Sequence, residues 1–142
     1  MLLLKHKNLT TNQTHLHKPK INDNVSLTSQ LLSSNLFTHG EVMYRKSLYE
    51  KIGGYREFFM FTQDYDLWLR MSINTSFQIV EEVLYRRYVL DDGVSGSLEK
   101  QTLQRYFGEM ARQGIESKLR GEKDLVDQYG YYAPFYRNSS SR

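Results

Sequence analysis

The sequence predicts an α/β domain of short strands and flanking helices, followed by one long C-terminal helix. Apolar residues recur at helical spacing just after Thr62 and again over residues 98–119. The run Val83-Leu84-Tyr85-Arg86-Arg87-Tyr88-Val89-Leu90 is rich in strand formers and ends at the turn signal Asp91-Asp92-Gly93. With 142 residues, 39% of them hydrophobic, the chain suits one domain with a modest core rather than two.

Residues 1–24 are polar, without a clear period, and read as a leader or loop; Lys18-Pro19-Lys20 and Asn22-Asp23-Asn24 are turn material. Met1-Leu2-Leu3-Leu4 is shorter than the apolar core of a signal peptide, about 7–15 residues, or a membrane span. The expectation is therefore an intracellular protein, cytoplasmic or at a membrane periphery. The Asn-x-Ser/Thr matches at Asn8, Asn12, Asn74 and Asn138 then read as products of an Asn- and Thr-rich composition. His15 and His17 would face one way on a strand, but no acidic or cysteine partner is placed to complete a metal site, and solvated loop histidines are the simpler reading.

Val25 to Ser34 reads as a short helix with Leu27, Leu31 and Leu32 inward and Asn35 as its stop. Phe37 to Tyr44 has the look of a short strand beside Gly40, and His39 within it is either a structural hydrogen-bonding residue or one that faces a ligand. Arg45 to Ile52 forms a brief helix with Leu48 and Ile52 at i,i+4 and Gly53 as its C-cap; the Gly53-Gly54 pair suits a bend with φ > 0.

Thr62 stands as N-cap of a helix running to about Asn74, with Asp64, Leu67, Trp68 and Met71 along one face. At about 100° per residue, Asp64 and Asp66 point roughly 200° apart and cannot share one small site. Asp66 pairs with Arg70 at i,i+4, which reads as a surface ion pair. Asp64 has no helical partner. It is either a first-turn acid favoured by the helix dipole or a carboxylate looking into a cleft.

Phe77 to Val80 and Val83 to Leu90 read as strands, and Arg86 and Arg87 alternate in direction, so only one of them can face a given cleft. Ser97 is a plausible N-cap for a helix over Leu98 to Leu119, with Leu103, Phe107, Met110 and Gly114 or Ile115 as its buried stripe and Gly121 as its end. The aromatic tail, Tyr129 to Tyr136, is expected to dock in part, while residues 139–142 fray. The organisation expected is thus a leader over 1–24, a central unit over 25–96, and a C-terminal helix with aromatic tail over 97–142.

Composition narrows the function. Nineteen Lys and Arg against sixteen Asp and Glu give a net charge of +3, compatible with an anionic ligand but too small and dispersed to indicate nucleic acid. The absence of cysteine excludes disulfides and thiolate metal sites.

Three pieces together, Asn35 to Arg45, Gly53-Gly54-Tyr55 and Gln63-Asp64-Tyr65-Asp66-Leu67-Trp68-Leu69-Arg70, resemble the second half of family 2 glycosyltransferases. Leu84-Tyr85-Arg86-Arg87 and Val94-Ser95 approximate the family's downstream element, so the resemblance spans about residues 25–96. It implies a partial GT-A, Rossmann-like fold and inverting transfer of a sugar from a nucleotide-sugar donor to an acceptor hydroxyl, in polysaccharide or glycoconjugate synthesis. The family's catalytic base maps onto Asp64, with Gln63 in place of the usual Glu; His39, Trp68 and Arg87 become candidate substrate-binding residues. The complete enzyme would need Mg²⁺ or Mn²⁺ for the leaving diphosphate. The family's donor-binding half and its metal-binding Asp-x-Asp are not recognisable in this sequence, so metal ligands are not expected in this chain. A partner chain would then supply the donor half. The alternative is a non-catalytic fragment or binding module that needs such a partner.

Overall fold

The computed structural model describes residues 3–8, 14–17, 21–80, 82–89 and 98–136; side chains are described within these ranges except at 3–8, 14–17 and 86–89. Two strands come first, β1 (Leu3–Asn8) and β2 (Thr14–His17), then helices α1 (Leu27–Ser33), α2 (Lys46–Lys51) and α3 (Gln63–Ser72). Strand β3 (Val83–Val89) precedes the long α4 (Leu98–Leu119) and the short α5 (Leu125–Tyr129). The sheet has the order β2-β1-β3: β1 runs antiparallel to β2 and parallel to β3. The chain is thus a mixed α/β protein whose described body is mainly helical.

Several sequence expectations are corrected. The leader expected over 1–24 contributes two strands, because β1 finds its partner more than seventy residues away, in β3, where Leu4 opposes Tyr85 and His6 opposes Arg87. Phe37 to Tyr44 is not a strand. His39–Glu41 forms one 3-10 turn, closed when the Thr38 N–H donates to Glu41 Oε1 at 2.6 Å. Phe77 to Val80 pairs with no strand among the described residues. The proposed cap Ser97 lies outside the described residues.

Local chemistry explains the helices that did form. Ser26 caps α1, accepting the Ser29 N–H at 3.2 Å. α2 stops where Gly53 and Gly54 both take positive φ, 81° and 64°. At Gly54 a Cβ would come within 2.8 Å of the Tyr49 ring, so both φ and space require glycine there. Thr62 occupies the N-cap position of α3, but its hydroxyl turns away to donate to the Gln104 carbonyl of α4 at 3.3 Å.

α3 is the centre of the core. Residues Tyr65 through Met71 are all buried, so the helix is enclosed on every side rather than amphipathic. Leu67, Trp68 and Met71 form the expected apolar stripe, surrounded by Leu31, Phe37, Phe58, Phe59, Ala111 and Ile115. α4 meets α3 through Gly108, Ala111 and Ile115, a face rotated from the stripe of large residues expected there. Leu103, Phe107 and Met110 are only half-buried, because small side chains let the two helices approach. α5 docks through Val126 and the aromatic tail through Ala133, while Tyr131, Tyr132 and Phe135 stay exposed.

Enclosing α3 buries Asp66 and Arg70, which corrects the expected surface pair. Arg70 grips Asp66 Oδ2 at 2.8 Å and donates to the carbonyls of Ile52 at 2.8 Å and Gly54 at 2.6 Å. The other Asp66 oxygen accepts Arg56, whose Nε also reaches Asp66 Oδ2 at 3.2 Å. Arg56 Nη1 then reaches Asp124 at 2.6 Å and Asp127 at 2.8 Å, and Lys118 meets Asp127 at 2.7 Å. Burial pushes the Asp127 carboxyl up, but Lys118 and Arg56 outweigh it and hold the group below the usual range. Stability from that carboxylate is present above the ordinary carboxylate pKa and is lost as pH falls through the lowered one.

Replacing Arg56 by Met should destabilise the protein by about 3–5 kcal/mol in urea unfolding, since Asp66 and Asp124 would be left buried without a cation they share. A second comparison isolates packing. At Gly114 a Cβ would sit 2.7 Å from the Asp124 carboxylate, which Arg56 and the Val126 N–H hold in place, whereas at Gly108 the nearest atom is 3.7 Å away. Gly114→Ala should therefore cost about 1–3 kcal/mol despite the better helix propensity of alanine, while Gly108→Ala should be neutral or stabilising by up to about 1 kcal/mol.

Candidate functional site

The backbone that leads into α3 is unusual. Phe61 has φ 61°, the left-handed region, although it carries a bulky side chain. Its carbonyl accepts Gln104 Nε2 at 3.0 Å, and with the Thr62 hydroxyl bond this ties the start of α3 to α4 at two points. Three residues on, Asp64 Oδ1 accepts the Tyr65 N–H at 2.8 Å.

Asp64 sits where two openings meet. One, about 380 Å³, is lined by Thr38, His39, Gly40, Tyr85 and Gln104 together with Asp64. The other, about 800 Å³, lies between the start of α3 and the flank of α4 and includes Asn35, Gln104, Tyr106, Glu109 and Arg112. Burial raises the Asp64 carboxyl above the ordinary carboxylate range; the Tyr65 N–H and the nearby His39 ring pull it part of the way back. Asp64 is thus a half-buried carboxyl at the edge of a cleft, with burial favouring its protonated form.

His39 is exposed on the same opening as Asp64. Its Nε2 lies 3.1 Å from the Tyr55 hydroxyl, and the two rings stack at 5.7 Å. Tyr55 in turn is 3.5 Å from the Tyr44 hydroxyl. Burial first, then Tyr44, raises the Tyr55 phenol well above the ordinary tyrosine range, so it stays protonated and can donate. Gly40 is open to the cleft only because it lacks a side chain: a Cβ there would overlap the Tyr85 ring.

The structure thus brings Asp64 and His39 to one opening and keeps Trp68 out of it. Trp68 is fully buried, with its ring edge-on to His39 at 6.5 Å and tilted against Tyr44 at 5.8 Å. The expectation that Trp68 contacts substrate is corrected: the aromatic stripe that points at Asp64 is the core-facing side of α3, so its tryptophan supports His39 from behind. Arg87 lies on β3, opposite His6 in the register, and its side chain is outside the described residues.

The separation of the two aspartates follows the helical geometry. Asp66 is sealed among arginines while Asp64 faces the openings. Sequence reasoning missed the Tyr44–Tyr55–His39 chain and the α4 wall. Gly108 and Ala111, three apart on α4, were the available sign that this flank approaches α3 closely. Among the described residues no three His, Cys, Asp or Glu side chains converge as a group that could hold a metal ion. No described helix is long and apolar enough to cross a membrane.

Because burial raises the Asp64 pKa, the folded state holds that proton more tightly than the unfolded chain, and stability falls as pH rises through the window between the two values. Asp64→Asn should therefore raise Tm at neutral pH, and the gain should vanish by about pH 2, well below the ordinary carboxylate pKa of about 3.9, where the carboxyl is protonated in both states. A Tm gain of equal size at every pH would contradict this. No protein-family model, curated protein or solved structure matches the chain.

Proposed function

We propose that this chain is the acceptor-side part of an inverting glycosyltransferase of the family 2 kind, with Asp64 as its general base. The observation that carries the reading is the position of Asp64: a half-buried carboxylate of raised pKa at the junction of two openings, one of them shared with His39. A Rossmann-like, GT-A arrangement belongs to the same proposal. The parallel pairing of β1 with β3, separated in sequence by three helices, supports it.

In this reading an acceptor hydroxyl lies against Asp64, which takes its proton as the oxygen attacks the anomeric carbon of a nucleotide-diphosphate sugar. The new carbon–oxygen bond forms on the face opposite the leaving group, the old one breaks, and its electron pair leaves with the diphosphate. His39, held by the Tyr55 hydroxyl, faces the sugar in the smaller opening. A donor-binding part, on the same or a partner chain, completes the site.

Asp64→Asn in the protein joined to that part should lower sugar transfer by about 10²–10⁴-fold, measured as nucleotide diphosphate release, while its unfolding midpoint in urea is no lower than the parent's. The parent activity should rise with pH along a limb set by a carboxyl above its ordinary range. Transfer within a few-fold of the parent in the Asn variant would overturn the assignment.

A further inference from the structure

We infer that Tyr55 holds His39 in the tautomer protonated on Nδ1, which makes His39 a hydrogen-bond donor in the smaller opening and leaves the proton-accepting role there to Asp64. Tyr55 is thereby a positioning residue that acts through His39. The part this plays in sugar transfer rests on the transferase reading; the tautomer does not.

His39 Nε2 lies 3.1 Å from the Tyr55 hydroxyl, so one of the two groups donates to the other. Either the phenol gives its proton to a bare Nε2, or an Nε2–H donates to the phenol oxygen. The Tyr55 hydroxyl has a single proton to place, and its other neighbour is the Tyr44 hydroxyl at 3.5 Å, beyond the usual O–H···O range. A neutral imidazole nitrogen is a far stronger base than a phenol oxygen. The Tyr55 proton therefore goes to the nearer and more basic partner. Tyr44 is then free to donate to the Tyr55 oxygen, which gives the three groups one direction, from Tyr44 through Tyr55 to His39. Burial, which raises the Tyr55 phenol, keeps that proton in place. The His39 ring is steadied by its stacking on Tyr55 at 5.7 Å and by the Trp68 ring, edge-on at 6.5 Å.

With Nε2 occupied, the ring proton of neutral His39 sits on Nδ1. Among the described residues no group accepts a hydrogen bond from Nδ1, and the ring is exposed on the opening that Asp64 also lines. A ligand there meets an N–H from His39 and a carboxyl from Asp64. Neither nitrogen of His39 has a lone pair left to take a proton from it, so His39 is a donor beside the base and not a second base.

The test uses this chain alone, isotope-labelled on histidine. Proton–nitrogen correlation NMR of the imidazoles at about pH 9, where an ordinary histidine is neutral, should show His39 protonated on Nδ1 and bare on Nε2. His39→Ala identifies the signal among the four histidines. Tyr55→Phe keeps the stacked ring, removes the hydroxyl, and should bring Nε2–H into the His39 population. Nε2–H on His39 in the parent, or an unchanged tautomer in a folded Tyr55→Phe, overturns the inference. The parent spectrum alone decides which nitrogen is protonated, whether or not the variant folds. In the protein joined to the donor-binding part, His39→Asn, whose amide N–H can stand in for Nδ1–H, should transfer sugar about tenfold faster than His39→Ala. Equal loss in the two variants removes the donor role. The two readings fail separately. If Asp64→Asn still transfers sugar, the base falls and the tautomer stands. If Asp64→Asn abolishes transfer while His39 carries Nε2–H, the tautomer falls and the base stands.

Discussion

Arg56 is the interaction on which the described body depends. Its guanidinium joins Asp66 of α3 to Asp124 and Asp127 at the start of α5, and it lies 4.6 Å over the Phe59 ring. Arg70 completes the arrangement by binding Asp66 and the carbonyls of the α2–α3 bend. Asp66 and Asp124 have no measurable exposure beyond 1%, so each needs its full set of partners to offset the loss of water. The network therefore acts less as a source of net stability than as a constraint on how α3, the bend and α5 can sit together.

That constraint also sets the site. Fixing Asp66 inward fixes the rotation of α3 about its own axis. With the two aspartates about 200° apart, Asp64 must then face outward, toward the openings. The same rotation turns Trp68 into the core, where it supports the rings of Tyr44 and His39. The carboxylate at the helix mouth is positioned by a second carboxylate buried among Arg56 and Arg70. The left-handed Phe61, just before the helix, is held by the bond from Gln104, so the local conformational cost sits next to the candidate base.

Much of the helical layout was legible from the chain. The spacing of Leu27 and Leu31, of Leu48 and Ile52, and of Leu67, Trp68 and Met71 placed three helices. The reading of α4 as Leu98–Leu119 coincides with the helix observed. Local rules failed where the partner is distant. β1 in a polar leader becomes a strand because β3 offers it backbone groups to pair with, a fact no window of neighbouring residues contains. The turn at His39 looked like a strand by composition, but the Thr38–Glu41 bond bends it into a 3-10 turn.

The sequence by itself determined the helix around Asp64, the separation of its two aspartates and the positive-φ bend at Gly53 and Gly54, because each depends on residues within one or two turns. Only the tertiary structure decided that Asp66 and Arg70 are buried, that Trp68 lies behind the site, and that Asp64 meets two openings. Periodicity reveals which face of a helix is apolar, not how many neighbours enclose it. α3 has neighbours on every side, supplied by α1, α4 and the Arg56 segment, and those contacts set the burial that raises the Asp64 pKa.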